Sequence, residues 1–187
     1  MGAELRLVGE RVVLRPPARD DFDGFERLFT DPEVMRYVAY GRPLTPSEVE
    51  EWLGRMISRF EADGFGQFAL TRRSDGLLIG RAGLLPHDPA TWRGGSLSEL
   101  GPQAEIELGW MLAREFWGHG YAAEAARVAR DWAWNELGLS RLVSIIQVGN
   151  ERSVRLAVRL GGRLERDLTT SFGKRAQLYA YSRSPAE

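Results

Sequence analysis

A chain of 187 residues, 43% hydrophobic and 27% charged, fits one domain of ordinary size, and residues 1–187 read as a single unit. Its 25 basic and 26 acidic residues leave a formal net charge of −1, which gives no electrostatic case for a nucleic-acid or membrane partner. With no cysteine, disulfides, a cysteine acyl-enzyme and a thiolate metal site are excluded. The two histidines, His87 and His119, have no ligand-like spacing, so no metal is expected.

Glu4, Arg6, Glu10 and Arg11 interrupt the apolar residues of the N-terminus, which therefore does not read as a signal peptide. No apolar run is long enough to span a bilayer, and cytoplasm is the expected compartment. Arg11–Pro16 is a short apolar run ending at prolines and predicts a first strand. Asp20 stands as an N-cap, with Phe22, Phe25, Leu28 and Phe29 following at helical spacing. Asp31-Pro32 stops that helix. Thr45 to Glu48 is a capping box with proline at the first helical position. Val49, Trp52, Leu53, Met56, Ile57 and Phe60 mark the apolar face behind it, up to Asp63-Gly64.

The period then changes. Gly66–Arg72 and Leu77–Leu85 predict strands joined by a turn at Ser74-Asp75-Gly76. Pro86–Gln103, rich in Pro, Gly and Ser, predicts a loop that is long for a hairpin connection, either a lid or a passive surface insertion. Ala104–Leu112 is the next strand, Tyr121–Leu137 a helix, and Arg141–Val148 a strand apolar on both faces. Ser153–Leu160 is a short helix. Two strands, Arg163–Thr170 and Arg175–Ser182, close the chain before a polar tail expected to fray. The order is that of a mixed α/β fold.

The most informative stretch is Glu105–Ala126, where a strand runs into a loop carrying Gly118 and Gly120, and the loop runs into a helix. A helix start offers unpaired N–H groups and the positive end of its dipole, and glycines let a bulky anion approach. Such a segment either binds phosphate or simply makes a turn. Gly118 to Ala123 also matches a Rossmann-like G-x-G-x-x-A for an NAD(P) oxidoreductase. The loop after Leu112 is too long for that motif's tight turn, however, and the next strand, Arg141–Val148, ends without a ribose-binding Asp or Glu.

The run Glu107 to Leu112 followed by Trp117 to Ala125 resembles the acetyl-CoA-binding motif of GNAT acetyltransferases, and most closely their RimJ/RimL-like branch of ribosomal-protein N-terminal acetyltransferases. The opening segment Gly9–Val38, Asn150 to Ser153 with the residues after it, and the closing strand from Arg175 resemble the same branch in the same order. The resemblance implies a central twisted mixed sheet of about seven strands flanked by about four helices, with a splay between the fourth and fifth strands. It implies N-acetyl transfer from acetyl-CoA to a primary amine, which the absence of cysteine makes a direct attack; dimers are common in the family, which leaves a homodimer open. A non-catalytic acyl-CoA-binding module is the alternative.

Carried over residue by residue, the pyrophosphate of CoA falls on backbone amides of Trp117, Gly118, His119, Gly120, Tyr121, Ala122 and Ala123. Trp117 stands where many members have Arg or Gln, so backbone more than side-chain charge is expected to hold the phosphates. An amide near Met111 or Leu112 would face the thioester oxygen as an oxyanion donor. Glu107 is the first candidate for the base, acting through water, and alternation puts Glu105 on the same face, where two like charges would raise a pKa. Asn150 and Ser153 are expected near the pantetheine and the sulfur, with Ser153 the proton donor to the thiolate. Asn150 also fits as the N-cap of the next helix. Tyr179 and Tyr181 are alternative acids.

Overall fold

The computed structural model describes residues 5–183. The tail beyond 183, expected to fray, and Glu4 lie outside the described residues. Eight strands form one sheet: β1 (Leu7–Val8), β2 (Val12–Arg15), β3 (Gln67–Arg72), β4 (Leu78–His87), β5 (Glu105–Leu112), β6 (Arg141–Gln147), β7 (Arg163–Thr169) and β8 (Arg175–Ser182). Their spatial order is β1-β2-β3-β4-β5-β6-β8-β7. The unexpected strand is β1, which pairs Leu7 with Leu14 across a tight turn; two residues are too few to carry a period.

Every neighbouring pair is antiparallel except β5 and β6, which run parallel and share the single register pair Glu107 with Val143. Each is held along its length by its other neighbour, β5 by β4 and β6 by β8. Beyond Glu107 the two strands diverge, at the expected splay.

The helices are α1 (Phe22–Phe29), α2 (Pro32–Met35), α3 (Pro46–Asp63), α4 (Leu97–Leu100), α5 (Tyr121–Asn135) and α6 (Glu151–Arg159). α5 covers one face of the sheet through Ala125, Ala129 and Ala133, whose small side chains pack with Leu108, Leu112, Leu142 and Ile146. α1 and α3 cover the other face, burying Phe25, Phe29, Leu53 and Met56 with Ala69 and Met111. α3 starts as the sequence predicts: Glu48 N–H donates to Thr45 Oγ1 at 3.3 Å, and Thr45 N–H donates to Glu48 Oε2 at 2.8 Å.

Among the boundaries that differ from the sequence reading, three bear on the packing and the site. Asp20 is not the cap; Asp21 is, one residue on, where its carboxylate accepts the Ala18 N–H at 2.8 Å and pairs with Arg15. α6 starts at Glu151 with Asn150 as its cap. β4 continues to His87, and the stretch behind it is folded rather than a free excursion. There Asp88 Oδ1 accepts the Ala90 and Thr91 N–H groups, α4 follows, and Trp92 turns back to pack on Val143 and Leu178.

Phe29 is fully buried, and its ring lies 5.3 Å from that of Trp52 and 5.8 Å from that of Phe25. Phe29→Ala is expected to cost about 3–5 kcal/mol, read as a lowered midpoint in chemical denaturation.

Candidate active site

The glycine loop turns sharply into the start of α5. After β5 comes one turn of 3-10 helix, Arg114–Phe116, and the loop then passes through Gly118 and Gly120 at φ +81° and +82° into α5. A side chain at either glycine is strained by that backbone alone. A Cβ at Gly118 would meet nothing within 4 Å, so the approach to the loop is open. Tyr121, Ala122 and Ala123 form the first turn of α5, whose N–H groups have no intrahelical acceptor.

Side chains brace this loop more than the sequence suggests. The Trp117 indole N–H donates to the Leu112 carbonyl at 2.9 Å, tying the loop to the end of β5. Glu124 is buried in α5 and accepts both the backbone N–H of Arg11 at 2.7 Å and its Nε–H at 2.9 Å. Arg11 Nη1 donates on to the His119 carbonyl at 3.0 Å, and the Arg152 guanidinium sits 4.5 Å from the centroid of the Trp117 rings. Arg11 and Arg152 thus set positive charge beside the amides, a contribution that no local motif signals.

Where β5 and β6 part lies a cavity of about 170 Å³. Glu107, Gly109 and Trp110 of β5, Ser144 to Gln147 of β6, and Asn150 and Ser153 line it. Three predicted residues, Glu107, Asn150 and Ser153, therefore meet at one cavity. Trp117 to Ala123 do not line it; they lie past the C-terminal end of β5, with Met111 and Leu112 between. Asn150 caps α6, its Oδ1 accepting the Ser153 N–H at 3.3 Å. Ser144 Oγ donates to the Leu108 carbonyl at 2.6 Å and contacts the Tyr181 hydroxyl at 3.0 Å. This small network fills the space that a β6 backbone donor leaves empty. Tyr181 is buried, and burial pushes its hydroxyl up to about 12. Neither Tyr179 nor Tyr181 lines the cavity.

The Ala113 N–H donates to the Ile79 carbonyl of the β4 side at 2.9 Å. Amide direction alternates along a strand. The amides of Gly109 and Met111 therefore point to β4, and those of Trp110 and Leu112 point into the opening beside β6.

The expected like-charge pair of Glu105 and Glu107 does not form. Arg141 draws Glu105 away, with Nε 3.1 Å from Glu105 Oε2 and Nη1 2.9 Å from Glu165 Oε2. Glu107 instead meets His87, whose Nε2 lies 2.8 Å from Glu107 Oε2. His87 Nδ1 donates to the Trp92 carbonyl at 3.1 Å. Both imidazole nitrogens thus face acceptors, so the pair retains a proton between Nε2 and Oε2. Burial by itself would push the Glu107 carboxyl up, but the hydrogen bond and charge of His87, with the charge of Arg81, outweigh it and hold the group below the ordinary carboxylate range. Burial would push His87 down, and its contacts with Glu107 raise it instead. The raised carboxylate pKa anticipated from Glu105 is thereby reversed.

Residues 11–163 match the family model of the acetyltransferase (GNAT) domain. The chain belongs to the GNAT acetyltransferase family. It is of the RimJ/RimL type and an acetyl-CoA-dependent N-acetyltransferase. It is 32% identical over 148 residues to the FsC-acetyl coenzyme A-N(2)-transacetylase of Aspergillus fumigatus, a match covering 75% of this chain and 57% of that protein. The acetyltransferase of Agrobacterium tumefaciens has a crystal structure like this one, with a TM-score of 0.77 at 28% identity, covering 98% of this chain and 97% of that one. RimL, the ribosomal L7/L12 alpha-N-protein acetyltransferase in complex with coenzyme A, shares the fold at a TM-score of 0.71 and 13% identity, over 95% and 98% of the two chains. The dinucleotide-binding reading of Gly118 to Ala123 does not hold, because the segment sits in a largely antiparallel sheet rather than a doubly wound parallel one. No helix among the described residues is long and apolar enough to cross a membrane.

Sequence reasoning missed His87 and Trp92. They lie 20 and 15 residues before Glu107 in the chain, and only the β4–β5 register brings His87 to it. The pair predicts a particular pH dependence. A group whose folded pKa is raised stabilises below its unfolded value and loses that contribution as pH rises through the folded one. A lowered carboxylate stabilises above its unfolded value and loses the contribution as pH falls through the folded one. The gap in melting temperature between wild type and His87→Gln should therefore be widest from about pH 4.5 to 6.5, the ordinary carboxyl and imidazole values. It should narrow on either side, in a thermal-melt series across pH.

Proposed function

We propose that this chain acts as a single domain that moves the acetyl group of acetyl-CoA to a primary amine by direct attack in a ternary complex. The amine belongs to a protein N-terminus, a peptide or a small molecule. The observation that carries this reading is the cavity at the parting of β5 and β6, with Glu107 on one side, Asn150 and Ser153 on the other, and the glycine loop past the end of β5.

In this reading the amides of Gly118 to Ala123 hold the pyrophosphate, helped by Arg11 and Arg152, and the pantetheine arm lies along β5 in the opening; the Trp117 amide expected to join them is instead given to the Arg114 carbonyl at 3.1 Å. The amide of Leu112, with that of Trp110, serves as oxyanion donor, since both point into the opening while that of Met111 points to β4. Glu107 takes the proton of the attacking amine through water. Held below the usual carboxylate range, it is ionised across the neutral region, so the rising limb of the pH–rate profile belongs to the amine. Ser153 passes a proton to the departing thiolate and takes one up from solvent in its place, and Asn150 fixes the start of α6 that carries it. With no cysteine to form an acyl-enzyme, one direct transfer is the simpler route.

An acceptor screen with acetyl-CoA, read by thiol release and mass spectrometry, tests the reading. Binding of acetyl-CoA without turnover of any amine would favour the non-catalytic module. On an acceptor that is turned over, Glu107→Gln should lower kcat by roughly a hundredfold, the lower end of general-base contributions, because a carboxylate with a depressed pKa is a weak base. Acetyl-CoA affinity by calorimetry should stay nearly unchanged, and raising the pH should recover part of the rate. Full activity in this variant would remove Glu107 as the base.

Ser153→Ala should lower kcat and leave both acetyl-CoA affinity and melting temperature close to wild type. The helix cap uses the backbone N–H of Ser153, not its hydroxyl. A loss of stability equal to the loss of rate would return Ser153 to a structural role.

A further inference from the structure

Arg81 sits in the middle of β4, opposite Met111 on one side and Ala69 on the other. It is only 8% exposed, and its Nε has no hydrogen-bond partner among the described residues. Buried guanidinium groups are normally paired, because an uncompensated cation in the interior is among the most costly arrangements a fold carries. Neither cross-strand neighbour offers an acceptor side chain.

The guanidinium lines the same cavity as Glu107. A Cβ at Gly109 would lie 3.7 Å from Glu107 Cδ and 4.0 Å from Arg81 Nη1. The absent side chain at Gly109 thus leaves a gap into which the carboxylate and the guanidinium reach from opposite ends. They do not pair across it, and Glu107 Oε2 is given to His87 instead. With Glu107 turned to His87, the Arg81 Nε–H faces the cavity side of the fold without an acceptor of its own. Trp52, Leu85, Trp92 and Trp110 give the wall its apolar part, Gln67, Gln147, Thr170 and Ser171 add neutral polar groups, and no lining residue but Glu107 carries a carboxylate.

We propose that Arg81 binds a carboxylate on the acceptor, which is therefore a small amino acid presenting its amine to Glu107 and its carboxylate to Arg81. The guanidinium fork matches a carboxylate through two parallel N–H donors. The short gap over Gly109 calls for an amine and a carboxylate only a few bonds apart, and the aromatic wall favours an apolar side chain. Polyamines, with several cations and no anion, fit this cavity worst. The proposal deepens the N-acetyltransferase reading and rests on it for the identity of the site.

The experiment uses matched sets of acceptors: phenylalanine, phenylalanine amide and phenethylamine, and the same three forms built on leucine. Wild type should favour each amino acid over its amide and its decarboxylated amine by roughly a hundredfold or more in kcat/KM, the scale on which losing one partner of a buried charge pair is felt. In Arg81→Met that ratio should collapse toward one, and Arg81→Lys should keep part of it. Arg81→Met should also melt at a higher temperature than wild type, since it removes an unpartnered buried cation for an apolar side chain of similar length. That result shows the variant to be folded. A wild-type preference for the uncharged forms, or a ratio unmoved in Arg81→Met, overturns the proposal. Calorimetry of the same acceptors in the presence of CoA separates the two readings. Carboxylate-dependent binding without turnover supports the Arg81 assignment while sinking acetyl transfer. Turnover of amines with no carboxylate preference sinks only the Arg81 assignment, and binding of none of the amino acids overturns it.

Discussion

Strands β5 and β6 run side by side but touch through one register pair, Glu107 with Val143. This single pairing turns one sheet into two antiparallel halves hinged on a point. Each half is complete: β5 spends its inner hydrogen bonds on β4 and β6 spends its own on β8. Little is lost when the halves part, because each strand already has a full partner. The parting leaves backbone amides of β5 pointing into the opening, where an extended ligand could pair with them as an extra strand does. It also puts α6 and its cap, Asn150, across from Glu107. One departure from regular pairing therefore yields the donor row, the cavity and the facing side chains together.

Below that opening the sheet is sealed by polar atoms. Ser144 and Tyr181 close the space beneath Leu108 with two hydrogen bonds, replacing the ladder bonds that a parallel strand would have made. Burial makes the tyrosine hydroxyl a poor proton donor, since it is pushed up to about 12. The same burial that suits it to plugging the sheet unsuits it to protonating a thiolate. Ser153, which lines the cavity itself, is better placed for that chemistry.

The sequence carried the order of elements because each has a local cause. Alanines at helical spacing made α5 legible, the Thr45–Glu48 box fixed the start of α3, and the two glycines marked the turn into α5. Resemblance then joined these parts into a family. What stayed hidden depended on register and long-range charge. His87 reads as a lone strand residue until β4 is laid against β5. Glu105 looks like a partner for Glu107 until Arg141, from a strand 36 residues on, claims it. Arg11 looks like a surface charge until Glu124 of α5 captures it 113 residues away. A period or a motif reports what a residue does for its own element and cannot report which charge lies across the sheet.

Two residues show how firmly the cavity wall is held. Ala39 and Trp92 are the non-glycine residues with positive φ among those described, at +47° and +56°, and both line the cavity. Such a conformation costs about 1–3 kcal/mol at a residue with a Cβ, and it persists only where the surroundings over-determine it. Here each carbonyl is fastened: Gln147 Nε2 donates to that of Ala39 at 3.1 Å, and His87 Nδ1 donates to that of Trp92 at 3.1 Å. The strained turn at Trp92 aims an acceptor at one nitrogen of His87. That contact places a proton on His87 Nδ1 and turns Nε2 to Glu107. The strained turn at Trp92, itself on the cavity wall, thus orients the imidazole that holds Glu107.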